Sequence, residues 1–111
     1  MKVQELAEKG GFEVLHLSET AAEKEITGVY CCDLLSIAMT KVPAGAAWVT
    51  VMSNLNTLAV AALTEAACVI LAEGAAAEES LVERAKQQEI CLLRTEQPVF
   101  EAALCVYEEI H

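Results

Sequence analysis

Apolar positions in the second half of the chain fall into short continuous runs separated by polar turns. Three such runs are Ala47–Met52, Ala67–Leu71 and Ile90–Leu93. Short apolar runs bounded by turn residues are typical of strands that a parallel sheet buries on both faces. The longer stretches that follow them predict helices over Leu55–Ala66, Glu78–Gln88 and Val99–Glu109. The second half is therefore predicted to repeat a strand and a helix three times.

The first half of the chain has a less regular pattern. Gly10 and Gly11 suit a helix stop, and Asp33 is predicted to be the N-cap of the helix that follows it. We predict helices over Val3–Lys9 and Leu34–Thr40 and strands over Phe12–Leu17 and Glu25–Cys32. The segment Ser18–Lys24 is predicted to be a polar connector between the two strands.

The order of these elements indicates a single α/β domain over residues 1–111. Successive strands of the second half lie about 20 residues apart with a helix between them, a spacing that requires crossover connections. The fold class is therefore a small α/β domain with a mostly parallel sheet flanked by helices. The strand order does not follow from the sequence.

Charge and cysteine content narrow the range of partners. The net charge is −10, from 17 acidic and 7 basic residues, and no basic stripe is present. Nucleic acid and anionic membrane surfaces are therefore unfavourable partners. The five cysteines include no C-x-x-C pair, so no metal site is predicted, and they are expected to be small core residues of a reduced protein. The acidic N-terminus does not fit a signal peptide, and a cytoplasmic location is expected.

The most polar cluster of the second half follows the strand Ala47–Met52. Open α/β sheets bind ligands beyond the carboxyl ends of their parallel strands. The cluster falls at such an end, where a helix start also offers free N–H groups to an anion. The competing interpretation is that these side chains only cap and begin the helix. The candidate ligand-binding residues here are Ser53, Asn54, Asn56 and Thr57.

No catalytic constellation is apparent in the sequence. There is no G-x-x-x-x-G-K-[ST] phosphate loop and no G-x-G-x-x-G motif. A nucleophilic relay would have to use His16, because the other histidine is the last residue of the chain. A small enzyme with Asp33, Glu73 or His16 as its acid–base group remains as an alternative. We predict no catalytic residue, no metal and no cofactor.

The run Thr27-Gly28-Val29-Tyr30, followed by Asp33-Leu34-Leu35-Ser36, resembles the signature of the DRTGG domain family. The family is similar to the N-terminal domain of HPr kinase/phosphorylase, whose kinase domain this chain lacks. The resemblance implies a homodimeric regulatory or signal-relay domain and adds Thr27, Gly28 and Asp33 to the candidate binding residues. Glu23-Lys24 replaces the family's Asp-Arg pair, and Val29 replaces a glycine, where a β-branched side chain hinders close approach of a ligand.

Two hypotheses of function follow. The first is a homodimeric, non-catalytic regulatory domain that binds a small anionic ligand such as a nucleotide. The second is a protein–protein interaction module without a small-molecule ligand, which uses the alanine-rich helix Leu55–Ala66 or the edge near Trp48.

Overall fold

The computed structural model, which describes residues 1–111, alternates six helices with five strands. The strands are β1 (Glu13–His16), β2 (Gly28–Cys31), β3 (Ala46–Thr50), β4 (Cys68–Leu71) and β5 (Cys91–Arg94). The helices are α1 (Val3–Lys9), α2 (Glu19–Ala22), α3 (Leu35–Lys41), α4 (Leu55–Thr64), α5 (Glu79–Gln87) and α6 (Val99–Ile110). None of these helices is long and apolar enough to cross a bilayer.

The strands form one sheet in the order β1-β5-β4-β3-β2. Strands β2, β3, β4 and β5 are parallel to one another, and β1 pairs with β5 in the antiparallel direction. The predicted α/β fold with a mostly parallel sheet is confirmed. The antiparallel strand β1 lies at one edge of the sheet and β2, the next strand along the chain, lies at the other edge.

Two apolar layers cover the sheet, one on each face. On one face α1, α2 and α6 pack on Ala47 and Val49 of β3, and on the other face α3, α4 and α5 pack on Ala46 and Trp48. Every residue of β3 and β4 is buried. This two-sided burial is the reason that these strands are continuously apolar and do not alternate.

Glutamates in left-handed backbone conformation end two helices at the amino edge of the sheet. Glu65 (φ 60°) follows α4, and Glu89 (φ 54°) follows α5. After α5 the N–H groups of Glu89 and Ile90 donate to the carbonyls of Lys86 and Ala85, the pattern of a Schellman motif. Glycine usually occupies this position because it has no Cβ to clash with the carbonyl.

The structure corrects two local predictions. The connector Ser18–Lys24 contains the short helix α2, which forms because the Ser18 hydroxyl accepts the Ala21 N–H at 3.1 Å and because Ala21 and Ala22 are buried. Asp33 is not the N-cap of α3. Leu34 occupies that position without a side-chain cap, because the Asp33 carboxylate is engaged by the end of β3.

The five cysteines are all free, and they differ in burial. Cys68 and Cys91 are buried next to each other in the sheet, as expected for small core residues. The same expectation is wrong for Cys31, which is exposed because β2 is an edge strand, and Cys32 and Cys105 are half-buried.

Candidate functional site

At the carboxyl edge of the sheet, Asp33 links the ends of β2 and β3. Its Oδ1 accepts hydrogen bonds from the Thr50 hydroxyl and from the Val51 N–H, both at 2.8 Å. The Thr50 oxygen in turn accepts the Met52 N–H at 3.2 Å. The Asp33 carboxylate therefore has a structural task at this edge.

The turn between β3 and α4 uses part of the predicted polar cluster for its own hydrogen bonds. The Asn54 side chain caps α4 by accepting the Thr57 N–H at 3.2 Å, and the buried Thr57 hydroxyl donates to the Met52 carbonyl at 2.6 Å. Neither the Ser53 hydroxyl nor the Asn56 amide takes part in these bonds. Ser53 stays in the turn, whereas Asn56 lines a shallow groove between α3 and α4. The structure thus separates Asn56 from the rest of the cluster.

Acidic groups dominate the charge of the carboxyl edge. Its cation, Arg94, donates to the Gly74 and Ala75 carbonyls at 2.9 and 2.8 Å and also pairs with Glu13. The Glu73 carboxylate accepts the Val99 N–H at 3.0 Å. An anion at the start of α4 would therefore be held by N–H and hydroxyl donors, with no free cation to assist.

Thr27 and Gly28 lie at the opposite, amino edge of the sheet. They begin β2, where Gly28 pairs with Ala46, and the Thr27 N–H donates to the Gly45 carbonyl at 2.9 Å. A Cβ on Gly45 would come within 2.6 Å of Thr27 Oγ1, so glycine is required for this close contact. The seven candidate residues are thus divided between the two ends of the parallel strands.

A cleft of about 390 Å³ opens at the amino edge, where the sequence predicts no site. Alanines of α4 and of the turn that follows it form its apolar part together with Ile90. The polar lining is Lys24, Glu25, Glu65 and Gln88. Lys24 lies in the segment between α2 and β2, and Gln88 lies between α5 and β5. Residues before parallel strands share the amino edge, and this is the signal that could have pointed to the cleft.

Two of the three residues considered as the acid–base group, Asp33 and His16, lie at opposite sides of the sheet. Asp33 follows β2 and His16 ends β1, and these two strands are the opposite edges of the sheet. Partial desolvation, reinforced by the nearby Asp33 carboxylate, raises the pKa of the Cys31 thiol, which disfavours the nucleophilic thiolate. No cluster of three or more His, Cys, Asp or Glu side chains suited to a metal ion is present.

Helices α3 and α4 present an apolar outer surface, which we call the α3–α4 face. Large side chains on it remain strongly exposed, with Leu63 at 67% and Leu34 at 54%. The other members are Ile37, Met39 and Leu55. Residues 34–64, which include both helices, contain one charged residue, Lys41. An uncharged apolar face of this kind in an acidic protein is a candidate interaction surface.

No protein-family model and no curated protein matches the chain. Among solved structures it is similar to the CBS and DRTGG domains of the regulatory region of Clostridium perfringens pyrophosphatase, complexed with the activator diadenosine tetraphosphate, with a TM-score of 0.76 and 13% identity. The chain has a DRTGG-like fold. The match covers 95% of this chain and 45% of the other, so the DRTGG-like domain spans less than half of the structure it resembles.

Proposed function

We propose that this chain is a regulatory domain that binds a nucleotide and relays the binding event, without catalysing a reaction. The observation that carries the proposal is the likeness, over nearly the whole chain, to a regulatory region that was crystallised with a nucleotide activator. A cytoplasmic location is part of the proposal, and the five free cysteines support it because thiols persist in reducing compartments.

The hydrogen bonds of two carboxylates and the pKa of one thiol support a binding role over a catalytic one. The Asp33 and Glu73 carboxylates accept backbone N–H groups, and the Cys31 thiol has a raised pKa. A general acid or base needs a group that is free to exchange a proton with a substrate.

Thermal melting with a panel of ligands tests the proposal. The panel contains adenine and guanine mono-, di- and triphosphates and dinucleoside polyphosphates. A ligand at about 100 times its Kd stabilises a protein by roughly 2.7 kcal/mol, which shifts the Tm of a domain of this size by several degrees. Loss of the shift in Ser53→Ala would locate the ligand at the β3–α4 turn, and loss of the shift in Asn56→Ala would locate it at the groove between α3 and α4. A flat panel would contradict the nucleotide-binding role.

A second candidate function, self-association through the α3–α4 face, is favoured by the distribution of charge. Two copies of a chain with net charge −10 repel each other at most orientations. The α3–α4 face brings apolar side chains and no carboxylate to the contact, because all 17 acidic residues lie outside residues 34–64. A second copy of this chain is therefore the occupant that we propose, in an isologous dimer.

Sedimentation velocity at micromolar concentration tests the dimer. Leu63→Glu places a charge at the most exposed large side chain of the proposed contact, and we expect it to produce monomers. Phe100→Glu is the matched control, because Phe100 is also an exposed apolar side chain, at 69%, but lies on α6. A wild-type monomer, or equal dissociation by both variants, would exclude the α3–α4 face as the dimer contact.

A further inference from the structure

The amino-edge cleft has the size and lining of a small-molecule site. Its volume of about 390 Å³ lies within the range of roughly 300–1,000 Å³ that ligand pockets occupy. Six of its 11 lining residues are hydrophobic, and they include Ala61, Ala66 and Ile90. Small alanine side chains leave room for a flat ring to lie against the end of α4. The polar groups are few, which is usual where they fix the orientation of a ligand.

Lys24 supplies the cleft with a cation that has no carboxylate partner. The ion pairs of the chain involve the N-terminal amine, Lys2 and Arg94, and none involves Lys24. Burial raises the pKa of the Cys91 thiol to about 12, and the Lys24 ammonium opposes that rise, which places the ammonium near the beginning of β5. Lys24 is half-buried and therefore available to an anionic group that enters the cleft.

Gln88 supplies a polar group whose hydrogen-bonding capacity is unused. It lines the cleft at the end of α5, and its Oε1 is shielded from solvent without a hydrogen-bond partner. A buried acceptor without a donor is unfavourable, because it has lost its contact with water and has gained no hydrogen bond. The Gln88 amide would have to turn about its terminal torsion to face the cleft, and an N–H donor of a ligand there would then satisfy Oε1. Carboxamide side chains pair with adenine in this way, because the N6 amino group donates and the N7 atom accepts.

We propose that the amino-edge cleft binds an adenine nucleoside monophosphate, with Gln88 at the base edge, the alanines against the ring and Lys24 at the phosphate. The inference deepens the proposed nucleotide-binding function and rests on it. The Glu65 carboxylate lines the same cleft and can accept hydrogen bonds from ribose hydroxyls.

The charge balance of the cleft favours one phosphate over several. The carboxylates of Glu25 and Glu65 line the same cleft as Lys24, so each further phosphate adds repulsion that no second cation in the lining offsets. We therefore expect the affinity to fall from AMP to ADP to ATP. GMP should bind more weakly than AMP, because guanine presents two acceptors where adenine presents a donor and an acceptor.

Isothermal titration calorimetry of the full chain with AMP, adenosine, ADP, ATP and GMP tests the inference. Gln88→Leu should weaken AMP and adenosine alike by about tenfold, the effect of one lost hydrogen bond. Lys24→Met should weaken AMP by at least about tenfold and leave adenosine nearly unchanged. Lys86→Met removes an exposed cation of α5, and Ser53→Ala probes the carboxyl edge; both should bind AMP as the wild type does. Circular dichroism melting of each variant without ligand verifies that it is folded.

The outcomes separate the inference from the function on which it rests. Binding of AMP that both cleft variants weaken, in the specified pattern, supports the site. Binding that neither variant changes, or that Ser53→Ala abolishes, overturns the amino-edge site and leaves the nucleotide-binding function standing. Tighter binding of ATP than of AMP also overturns it. Absence of binding by every nucleotide contradicts both.

Discussion

Removal of the Asp33 carboxylate tests how the carboxyl edge of the sheet is held together. Asp33→Ala deletes the acceptor of two hydrogen bonds, from the Thr50 hydroxyl and the Val51 N–H. Val51 lies at the surface, so water can replace the carboxylate there. Thr50 is fully buried, so its hydroxyl would lose its acceptor without gaining water. The cost of that loss dominates the expected effect.

The magnitude follows from the Thr50 contact. A hydrogen bond to a charged acceptor contributes about 1.5–3 kcal/mol, and an orphaned buried donor costs about 1–3 kcal/mol. We expect Asp33→Ala to lower the free energy of unfolding by about 2–3 kcal/mol, which corresponds to a fall in Tm of about 10 °C. Asp33→Asn keeps an acceptor oxygen in place and should cost only about 1 kcal/mol.

Urea denaturation of a double-mutant cycle gives the decisive assay. Thr50→Val removes the donor, so the double variant Asp33→Ala/Thr50→Val should be more stable than the sum of the single effects implies, by at least about 1 kcal/mol. If the two substitutions are additive, or if Asp33→Ala changes the stability by less than about 0.5 kcal/mol, the assignment of Asp33 to the β2–β3 link is refuted. A capping role for Asp33 would give additive effects.

Three further predictions concern thiols, turns and a buried hydroxyl. Cys31 is exposed and should react with a thiol reagent in the native protein. Cys68 and Cys91 are buried and have raised pKa values, so they should react only at the rate of unfolding. Timed labelling followed by mass spectrometry measures both rates. Glu89→Gly should raise the free energy of unfolding by about 1 kcal/mol, because glycine adopts the left-handed conformation without strain; destabilisation in urea would contradict this. Thr57→Val, which leaves the Met52 carbonyl without its donor, should cost about 1–2 kcal/mol in the same assay. Thr64→Val is the comparison, because Thr64 is only half-buried and its hydroxyl donates to carbonyls of its own helix.

The sequence predicted the second half of the fold because β3 and β4 are buried on both faces. Apart from Thr50 at the end of β3, their residues are apolar, and this run of apolar residues can be read directly from the sequence. Helix α2 escaped prediction because its four residues are too few to show a period, although Ser18 carries the capping signal. The direction of β1 was not predictable, since an edge strand can pair either way with its neighbour.

The candidate site was predictable only in part, because strand direction decides which edge a residue reaches. Ser53 and Asn54 follow a strand and were correctly assigned to the carboxyl edge. Thr27 precedes β2 and therefore lies at the amino edge, and the family resemblance alone does not indicate at which edge its residues lie. Lys24 and Gln88 are far apart in the chain, and they line the same cleft only because of the order of the strands in the sheet. That order cannot be predicted from any local sequence pattern.

The two edge strands, β1 and β2, differ in how easily a further strand could pair with them. β1 carries an irregularity between Val14 and His16, which disturbs the spacing of its outer backbone groups and discourages a further strand. β2 pairs in regular register with β3 over its whole length and has no such protection on its open side. An extended segment from another chain, or a misfolded copy of this one, would therefore be added next to β2, and covering that one side would be enough to stop the sheet from gaining a strand.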